Sequence, residues 1–454
     1  MAAAGGSRIS VGGIMKTGND RQDRGRLNIR RIGMALLTTL CALLLSCGGT
    51  QPDSSISKET KPCQHPEYWP YSVASSRFPF LVHYRSEDEL ATANQVMTLL
   101  ETAWERQILQ QGYTPPPSDA GECGPDGKFD VFVWRGVNTC QVNIVSEEFA
   151  TAWGGRASFM FVDPWGDYGG VFLPQTIAHE FNHATHAAND WYELPIAFEM
   201  SASYVEQFYD GPTDPRYIHS FQEHPDWALL RNDNYTTWYM YGSALYLNFL
   251  RDYYFRGDDS FLPQLWIAMR NTPDRYVNQP NFVDGVNALL APAGATFLES
   301  VVNFARWRYY AGDRDDGQHF SRLPAAMKPV MFAKEATLSV EQLSLKPLTH
   351  MVVPSPMLTG SAYLEIRRED ASQSSFQLSL DAPASPSSKW VVQAVPGLTA
   401  GSDGDIVDLS SGTARVSFAP NGSRTLILTV LPLADYDPYH QTEARYPLAV
   451  RIAP

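Results

Sequence analysis

Within the 454 residues of this chain, the stretch Thr176-Ile-Ala-His179-Glu180-Phe-Asn-His183-Ala-Thr-His186 concentrates side chains that can do chemistry. On a helix, His179 and His183 stand one turn apart on the same face, so both imidazoles can reach one metal ion. Zinc accepts neutral imidazole nitrogen at about 2.0–2.1 Å, and a catalytic site uses three protein ligands and leaves the fourth position to water. Glu180, beside the first ligand, is placed to take a proton from that water, which makes hydrolysis the expected chemistry. His186 falls three residues after His183 on nearly the same face. It is expected behind the ligands as a hydrogen-bond partner or as an ordinary helix residue.

A third ligand must come from elsewhere. Downstream stands Pro195-Ile-Ala-Phe198-Glu199-Met-Ser-Ala202-Ser-Tyr204-Val-Glu206. An aromatic, a Glu, small residues and a second aromatic in this order resemble the second helix of gluzincin zinc peptidases, and the resemblance implies Glu199 as the third ligand. The metzincin pattern would need Gly at 186 and His at 189, where this chain has His186 and Asn189. A loop over Asn189–Leu194 lets the second helix fold back so that a Glu in its first turns approaches the same metal. The neighbours of Glu199 (Ile196, Ala197, Phe198, Ala202) are apolar, which argues against a solvated carboxylate. Glu206 is the second choice.

The elements that must position these groups are legible from periodicity. A strand is expected over Phe78–Tyr84, then a helix with Leu90, Ala93, Val96, Met97, Leu100 and Trp104 at three- and four-residue spacing, stopped by Gly112 and Pro115-Pro116-Pro117. Strands follow over Phe129–Trp134 and Ala157–Val162. Helices are expected over Pro174–Ala188, Pro195–Phe208, Trp238–Tyr254 and Ala295–Tyr310, the first two with Pro near their first turn. Beyond about residue 330 the pattern changes to short alternating runs: His350–Val353, Ser361–Arg367, Ser375–Leu380, Trp390–Val395, Ala414–Phe418, Arg424–Val430 and Tyr446–Ile452. Their spacing predicts an all-β sandwich.

From about residue 75 to 320 the order of features resembles the zincin fold. It is similar to uncharacterised secreted metalloproteases of myxobacteria in Gly112-Tyr-Thr-Pro, Gly127-Lys-Phe-Asp-Val-Phe, the two motif helices and Phe304-Ala-Arg-Trp-Arg-Tyr-Tyr-Ala-Gly312. The expected fold is α+β, with a zincin-like catalytic region over 66–329 followed by the β-sandwich domain over 330–454. Tyr239-Met-Tyr241-Gly242-Ser-Ala244 resembles the Tyr-x-Lys-Gly-Ala segment of aminopeptidase N-like gluzincins, which implies Tyr239 as the donor to the reaction's oxyanion. Tyr241, standing where that segment has Lys, is an alternative, as are His219 and His224 by analogy with thermolysin-like enzymes. Aminopeptidases of the clan carry Gly-x-Met-Glu-Asn on the edge strand. Ala157–Val162, taken as that edge, has no such Glu, which favours an endopeptidase acting on protein or peptide. Two other functions stay open: a lipoprotein that keeps the fold as a binding scaffold, and a zinc amidase acting on a cell-wall component. Glu180 argues against the scaffold, which has no need of a base.

The remainder of the sequence concerns export. Arg26, Arg30 and Arg31 precede an apolar run, Ile32–Leu45, too short to span a bilayer, and Leu44-Leu45-Ser46-Cys47 resembles a bacterial lipobox. Residues 1–46 therefore read as a lipoprotein signal peptide and 47–65, rich in Gly, Ser, Thr, Lys and Pro, as a flexible tether. Gly48 after Cys47 fits the outer membrane. The net charge is −14, and the first 46 residues hold seven Lys/Arg against two Asp/Glu, so the body is more acidic still. Such a surface excludes nucleic acid as a natural partner. After Cys47 only Cys63, Cys123 and Cys140 remain, an odd number that allows one intramolecular disulfide. Cys123–Cys140 is preferred and Cys63 is the other candidate partner. If Cys47 carries the lipid, Cys47→Ala expressed in a lipoprotein-processing host loses the acyl mass and leaves the detergent phase. Identical partitioning of the two proteins, with no mass difference, would exclude the anchor.

Overall fold

The computed structural model describes residues 69–454 apart from 121–125, 137–139, 147, 168, 234, 273–275, 346–348, 384, 386, 435 and 441–442. The signal region, the tether, Cys47, Cys63 and Cys123 lie outside the described residues, and with them the lipid anchor and both candidate disulfides. The chain is α+β, and no single described helix is long and apolar enough to cross a membrane.

The first sheet runs β1 (Tyr71–Ala74), β2 (Phe80–Tyr84), β3 (Phe129–Val133), β5 (Ser158–Val162), β4 (Gln141–Ile144). Strands β2, β3 and β5 are parallel, while β1 and β4 run antiparallel at the two edges. The three central strands are buried at every position, as strands covered on both faces must be. This corrects the sequence expectation for the edge. Ala157–Val162 contributes β5, flanked on both sides, and the edge is the short run Gln141-Val-Asn-Ile, whose first, third and fourth residues are only half-buried. A polar, alternating strand tolerates an open side; an apolar one does not.

Helix α1 (Leu90–Trp104) covers one face of the sheet with Ala93, Val96, Met97, Leu100 and Ala103; of the six positions read from the sequence, Leu90 is exposed at the first turn and Trp104 is half-buried. It continues as a π-helical stretch, Glu105–Gln111, that ends at Gly112 with φ +85°, a left-handed stop that glycine adopts without strain. Helix α2 (Leu173–Ala187) lies beside it. Phe181 fixes α2 there through ring contacts with Phe80, Phe129 and Trp104 at 5.5–6.0 Å. Helix α3 (Pro195–Glu206) packs against α2 after a seven-residue connection, with Pro195 in its first turn.

Helices α4 (Pro215–Glu223), α5 (Tyr239–Gly242), α6 (Ala244–Tyr253), α7 (Phe261–Ala268), α8 (Phe282–Leu290) and α9 (Phe297–Tyr309) complete this half. The single helix expected over Trp238–Tyr254 is broken at Ser243. The break follows a close approach: a Cβ on Gly242 would sit 2.0 Å from the Tyr217 carbonyl oxygen and 2.6 Å from Phe221 Cβ. Capping boxes at Asn281/Asp284 and Thr296/Glu299 start α8 and α9.

The second half holds two sheets, β11-β10-β13-β8-β6 and β12-β9-β14-β7. Its strands are β6 (Glu341–Ser344), β7 (Thr349–Val353), β8 (Ser361–Arg367), β9 (Ser375–Asp381), β10 (Ser388–Val395), β11 (Asp405–Ile406), β12 (Ala414–Ser417), β13 (Ser423–Pro432) and β14 (Leu448–Ala453). Leu364, Ile366, Leu426 and Leu428 of one sheet share a core with Phe376, Leu378, Val450 and Ile452 of the other, which makes the pair a sandwich. All seven expected runs are strands, within two residues at either end. Helix α9 joins the halves: Ala305 packs with Tyr363, Val395 and Ile427, and the Tyr363 hydroxyl donates to the Ala305 carbonyl at 2.6 Å.

Gly242→Ala tests the contact that sets α4 against α5. Alanine in place of a helical glycine gains about 0.5–1 kcal/mol of propensity, whereas forcing atoms into a filled core costs about 1–3 kcal/mol. Urea unfolding should show a net loss of stability. A variant as stable as wild type would mean that α4 yields.

Candidate metal centre

Helix α2 is buried along nearly its whole circumference, although it carries His179, Glu180, Asn182, His183, Thr185 and His186. Polar groups removed from water must find partners, and those partners define the site. The Asn182 amide donates to Gln107 Oε1 at 3.0 Å, and Gln107 Nε2 donates to the Ala178 carbonyl at 2.8 Å. Gln107 is delivered by the π-helical extension of α1. These bonds fix the roll of α2, with the two histidines turned towards α3.

There, His179 Nε2, His183 Nε2 and the Glu199 carboxylate converge. Glu199 Oε2 lies 3.1 Å from His179 Nε2 and 3.8 Å from His183 Nε2. One ligand atom from each of the three lies within 4.8 Å of the others, and all three residues are buried. The sequence assignment of this trio is what the geometry brings together. Glu206, the second choice for a ligand, occupies a different place. Its Oε1 stands 2.6 Å from His179 Nδ1, so it holds the back of the ring while Nε2 faces the cluster. His186 does the same for the second ring, His183 Nδ1 lying 3.4 Å from His186 Nδ1. His186 is itself stacked on Trp266 with centroids 3.9 Å apart. This is the arrangement that fixes the tautomer and orientation of metal-binding imidazoles.

The electrostatics of the cluster centre on His179. Burial opposes charge on His179, yet its hydrogen bonds to Glu199 and Glu206 outweigh that and raise its pKa well above the usual imidazole value. Burial alone would push Glu199 up; its electrostatic interactions with His183 and His179, the hydrogen bond with His179 and the nearby Tyr235 hydroxyl hold it below the ordinary carboxylate range. His183, desolvated, falls to about 3 and so is a neutral nitrogen donor. In effect the His179 proton supplies positive charge at a spot where two neutral imidazoles and a carboxylate would accept a divalent ion. Glu180 adjoins this trio, buried, with Oε2 making no hydrogen bond. Burial pushes its pKa up to about 8, and the Val142 backbone of β4 gives it a hydrogen bond.

Tyr239 is not brought to the cluster. It is fully buried, its ring packs on Phe221 and Trp227, and its hydroxyl donates to the Ala228 carbonyl at 3.0 Å. The break at Ser243 leaves a single turn whose orientation is set by α4, and that turn directs Tyr239 into the core. Tyr241, the alternative, stacks over His179 with centroids 5.9 Å apart. His224 stacks on Trp227 at 3.8 Å and touches none of the trio, and His219 enters none of the cluster's hydrogen bonds.

A residue missed by sequence reasoning is Tyr235, whose buried hydroxyl lies close enough to Glu199 to help hold its pKa down. It sits in a turn pinned by Asp233, whose carboxylate accepts from the Tyr235 N–H at 3.1 Å and the Thr237 N–H at 3.0 Å. Its φ of +58° is uncommon for a non-glycine residue, and such strain gathers at functional sites. The Asp-x-Tyr-Thr-Thr run suggests a turn, but nothing in it says where the tyrosine points. Beside the cluster is a cavity lined by Gln175, Ser203, Glu206, Gln207, Tyr217 and Tyr241. No protein-family model matches the chain, and no characterised protein matches it.

If Glu206 holds His179 for a metal, Glu206→Ala titrated with Zn2+ against a chromophoric chelator should bind about 10- to 100-fold more weakly, and Glu199→Ala should bind more weakly still. Wild-type affinity in Glu206→Ala would refute the orienting role.

Proposed function

We propose that this chain is a zinc-dependent peptidase of gluzincin type, an endopeptidase exported and anchored through lipid on Cys47. The observation that carries the reading is the convergence of His179, His183 and Glu199 within 4.8 Å beside a buried Glu180 whose Oε2 has no hydrogen-bond partner. Two neutral imidazoles and one carboxylate are the donor set of a catalytic zinc site with an open fourth position. Zinc held there supplies a Lewis acid that acidifies water and polarises a carbonyl.

The remaining work falls to the chain's own side chains. Glu180 takes the proton of the attacking water and delivers it to the leaving amine, and burial that raises its proton affinity suits both transfers. Tyr235, beside Glu199, donates its hydroxyl to the oxyanion as the carbonyl becomes tetrahedral, the role that the resemblance gave to Tyr239. Glu206 and His186 keep the two imidazoles aimed. The open side of β4, whose Val142 backbone touches Glu180, suits an extended peptide pairing as an added strand. The parallel sheet covered by α1 and α2 supports a zincin-like fold. An inert scaffold leaves an unsatisfied carboxylate at the ligands without a use, which favours catalysis over partner binding.

Glu180→Gln should hold zinc in full and be almost inactive on a peptide library. Tyr235→Phe should keep zinc and KM but lose about a hundredfold or more in kcat, the usual loss for one oxyanion donor, while Tyr239→Phe keeps its kcat. Full activity in Tyr235→Phe with a crippled Tyr241→Phe would transfer the role to Tyr241. Zinc-replete wild type that cleaves no peptide would replace the peptidase with the scaffold.

A further inference from the structure

We infer that the cavity beside His179 receives a primary carboxamide, the side chain of a Gln or Asn flanking the bond that is cleaved. This deepens the peptidase reading and rests on it. Three polar side chains on the cavity wall, Gln175, Ser203 and Gln207, are only 5%, 8% and 5% exposed. Gln175 Oε1, Ser203 Oγ and both amide atoms of Gln207 are buried with no hydrogen bond among the described residues. Buried polar atoms are nearly always paired. Open ones from three side chains around a single cavity mark a place where a polar group arrives from outside the chain.

Helix geometry brings these groups together. Ser203, Glu206 and Gln207 stand at i, i+3 and i+4 where α3 ends, and Gln175 lies one turn before His179 on α2. Gln175 is held from behind. Its Nε2 lies 3.5 Å from the Pro212 carbonyl oxygen, and a Cβ on Gly211 would fall 2.0 Å from that nitrogen. Its Oε1 is the end left open.

The cavity begins at the metal centre. Glu206, on its wall, stands 2.6 Å from His179 Nδ1, and Tyr241, also on its wall, stacks over the same ring with centroids 5.9 Å apart. A peptide whose carbonyl lies at the Nε2 side of that ring therefore has a side chain next to the cleaved bond within reach of the cavity.

The open atoms select the ligand. Gln175 Oε1 and Gln207 Oε1 need donors, Gln207 Nε2 needs an acceptor, and the Ser203 hydroxyl can do either. A carboxamide supplies two N–H bonds and a carbonyl oxygen, and so answers all of them. An ammonium or guanidinium group offers no acceptor. A carboxylate offers no donor and would lie against Glu206. A thioether or alkyl chain leaves every one of these atoms unpaired. The rest of the wall includes Ile218, Ala244 and Met327, apolar surface that suits the methylene groups carrying the amide.

The test compares peptides carrying Gln, Glu, Met or Lys, side chains of similar length, at one of the two positions flanking the cleaved bond. At one of those positions, zinc-loaded wild type should prefer Gln over each of the others by about 10- to 100-fold in kcat/KM, the penalty for leaving buried polar groups unpaired. Gln207→Met, which keeps the length and removes both amide atoms, should erase the advantage of Gln over Met. Gln207→Glu, which exchanges the donor for a second acceptor, should move the preference towards Lys, a gain that misfolding does not produce. Calorimetric titration of Glu180→Gln with the Gln and Met peptides reads binding apart from cleavage and should show the same order in Kd. Cleavage with equal kcat/KM across the four peptides at both positions, or with Met preferred, would overturn the inference and leave the peptidase reading standing. So would an advantage of Gln that persists in both Gln207 variants. If wild type cleaves none of the peptides while Glu180→Gln binds the Gln peptide more tightly, the carboxamide site stands and the peptidase reading falls. Equal binding without cleavage removes both.

Discussion

The structure turns on one constraint: a helix bearing three histidines, a glutamate and an asparagine in consecutive turns is buried in an apolar core. Burying such groups unpaired costs several kcal/mol each on transfer scales, comparable with the whole stability of a domain. Each neighbour of α2 is therefore committed to answering it. The π-helical extension of α1 offers Gln107 to Asn182. Helix α3 offers Glu199 and Glu206 to His179, and α7 offers the Trp266 face to His186. The packing that satisfies the helix is the same packing that assembles the cluster.

Helix periodicity explains why both glutamates of α3 serve one histidine. Glu199 and Glu206 are seven residues apart, two turns, so they lie on one face. From that face one carboxylate reaches Nε2 of His179 and the other reaches Nδ1. The sequence reading treated the two as rivals for a single ligand position. Spacing alone allows either, since it gives the shared face but not which nitrogen each meets; the depth of α3 against α2 decides that.

Legibility divided along the same line between local pattern and tertiary choice. Helices α2 and α3 and the seven expected strands of the sandwich were readable because periodicity and turn residues are local signals. Strand β4 was not, because Gln141-Val-Asn-Ile has neither length nor apolar density, and the more strand-like Ser158–Val162 drew the edge assignment. Tyr239 was misplaced for a related reason. A resemblance in Tyr-x-x-Gly marks a turn, but the approach of Tyr217 and Phe221 to Gly242 sets how that turn is rolled. Tyr235 had no signal at all, since its direction follows from a positive φ held by Asp233.

The two acidic clusters share a physical logic with the chain's overall charge of −14. At the first, Glu180, Glu199 and Glu206 surround one imidazole whose raised proton affinity makes it the local cation. At the second, Asp190 and Glu193 have only amide and hydroxyl groups for company, and their proton affinities rise instead. A protein that needed only folding could replace buried carboxylates by apolar groups at little cost. This chain keeps four buried ones, Glu180, Asp190, Glu193 and Glu199, within 20 residues of sequence, in and between two helices. With Asp190 and Glu193 both buried, the connection from α2 to α3 is not a passive linker. It sets the depth at which Glu199 meets the histidines, so the way Asp190 and Glu193 are buried also bears on the geometry of the trio.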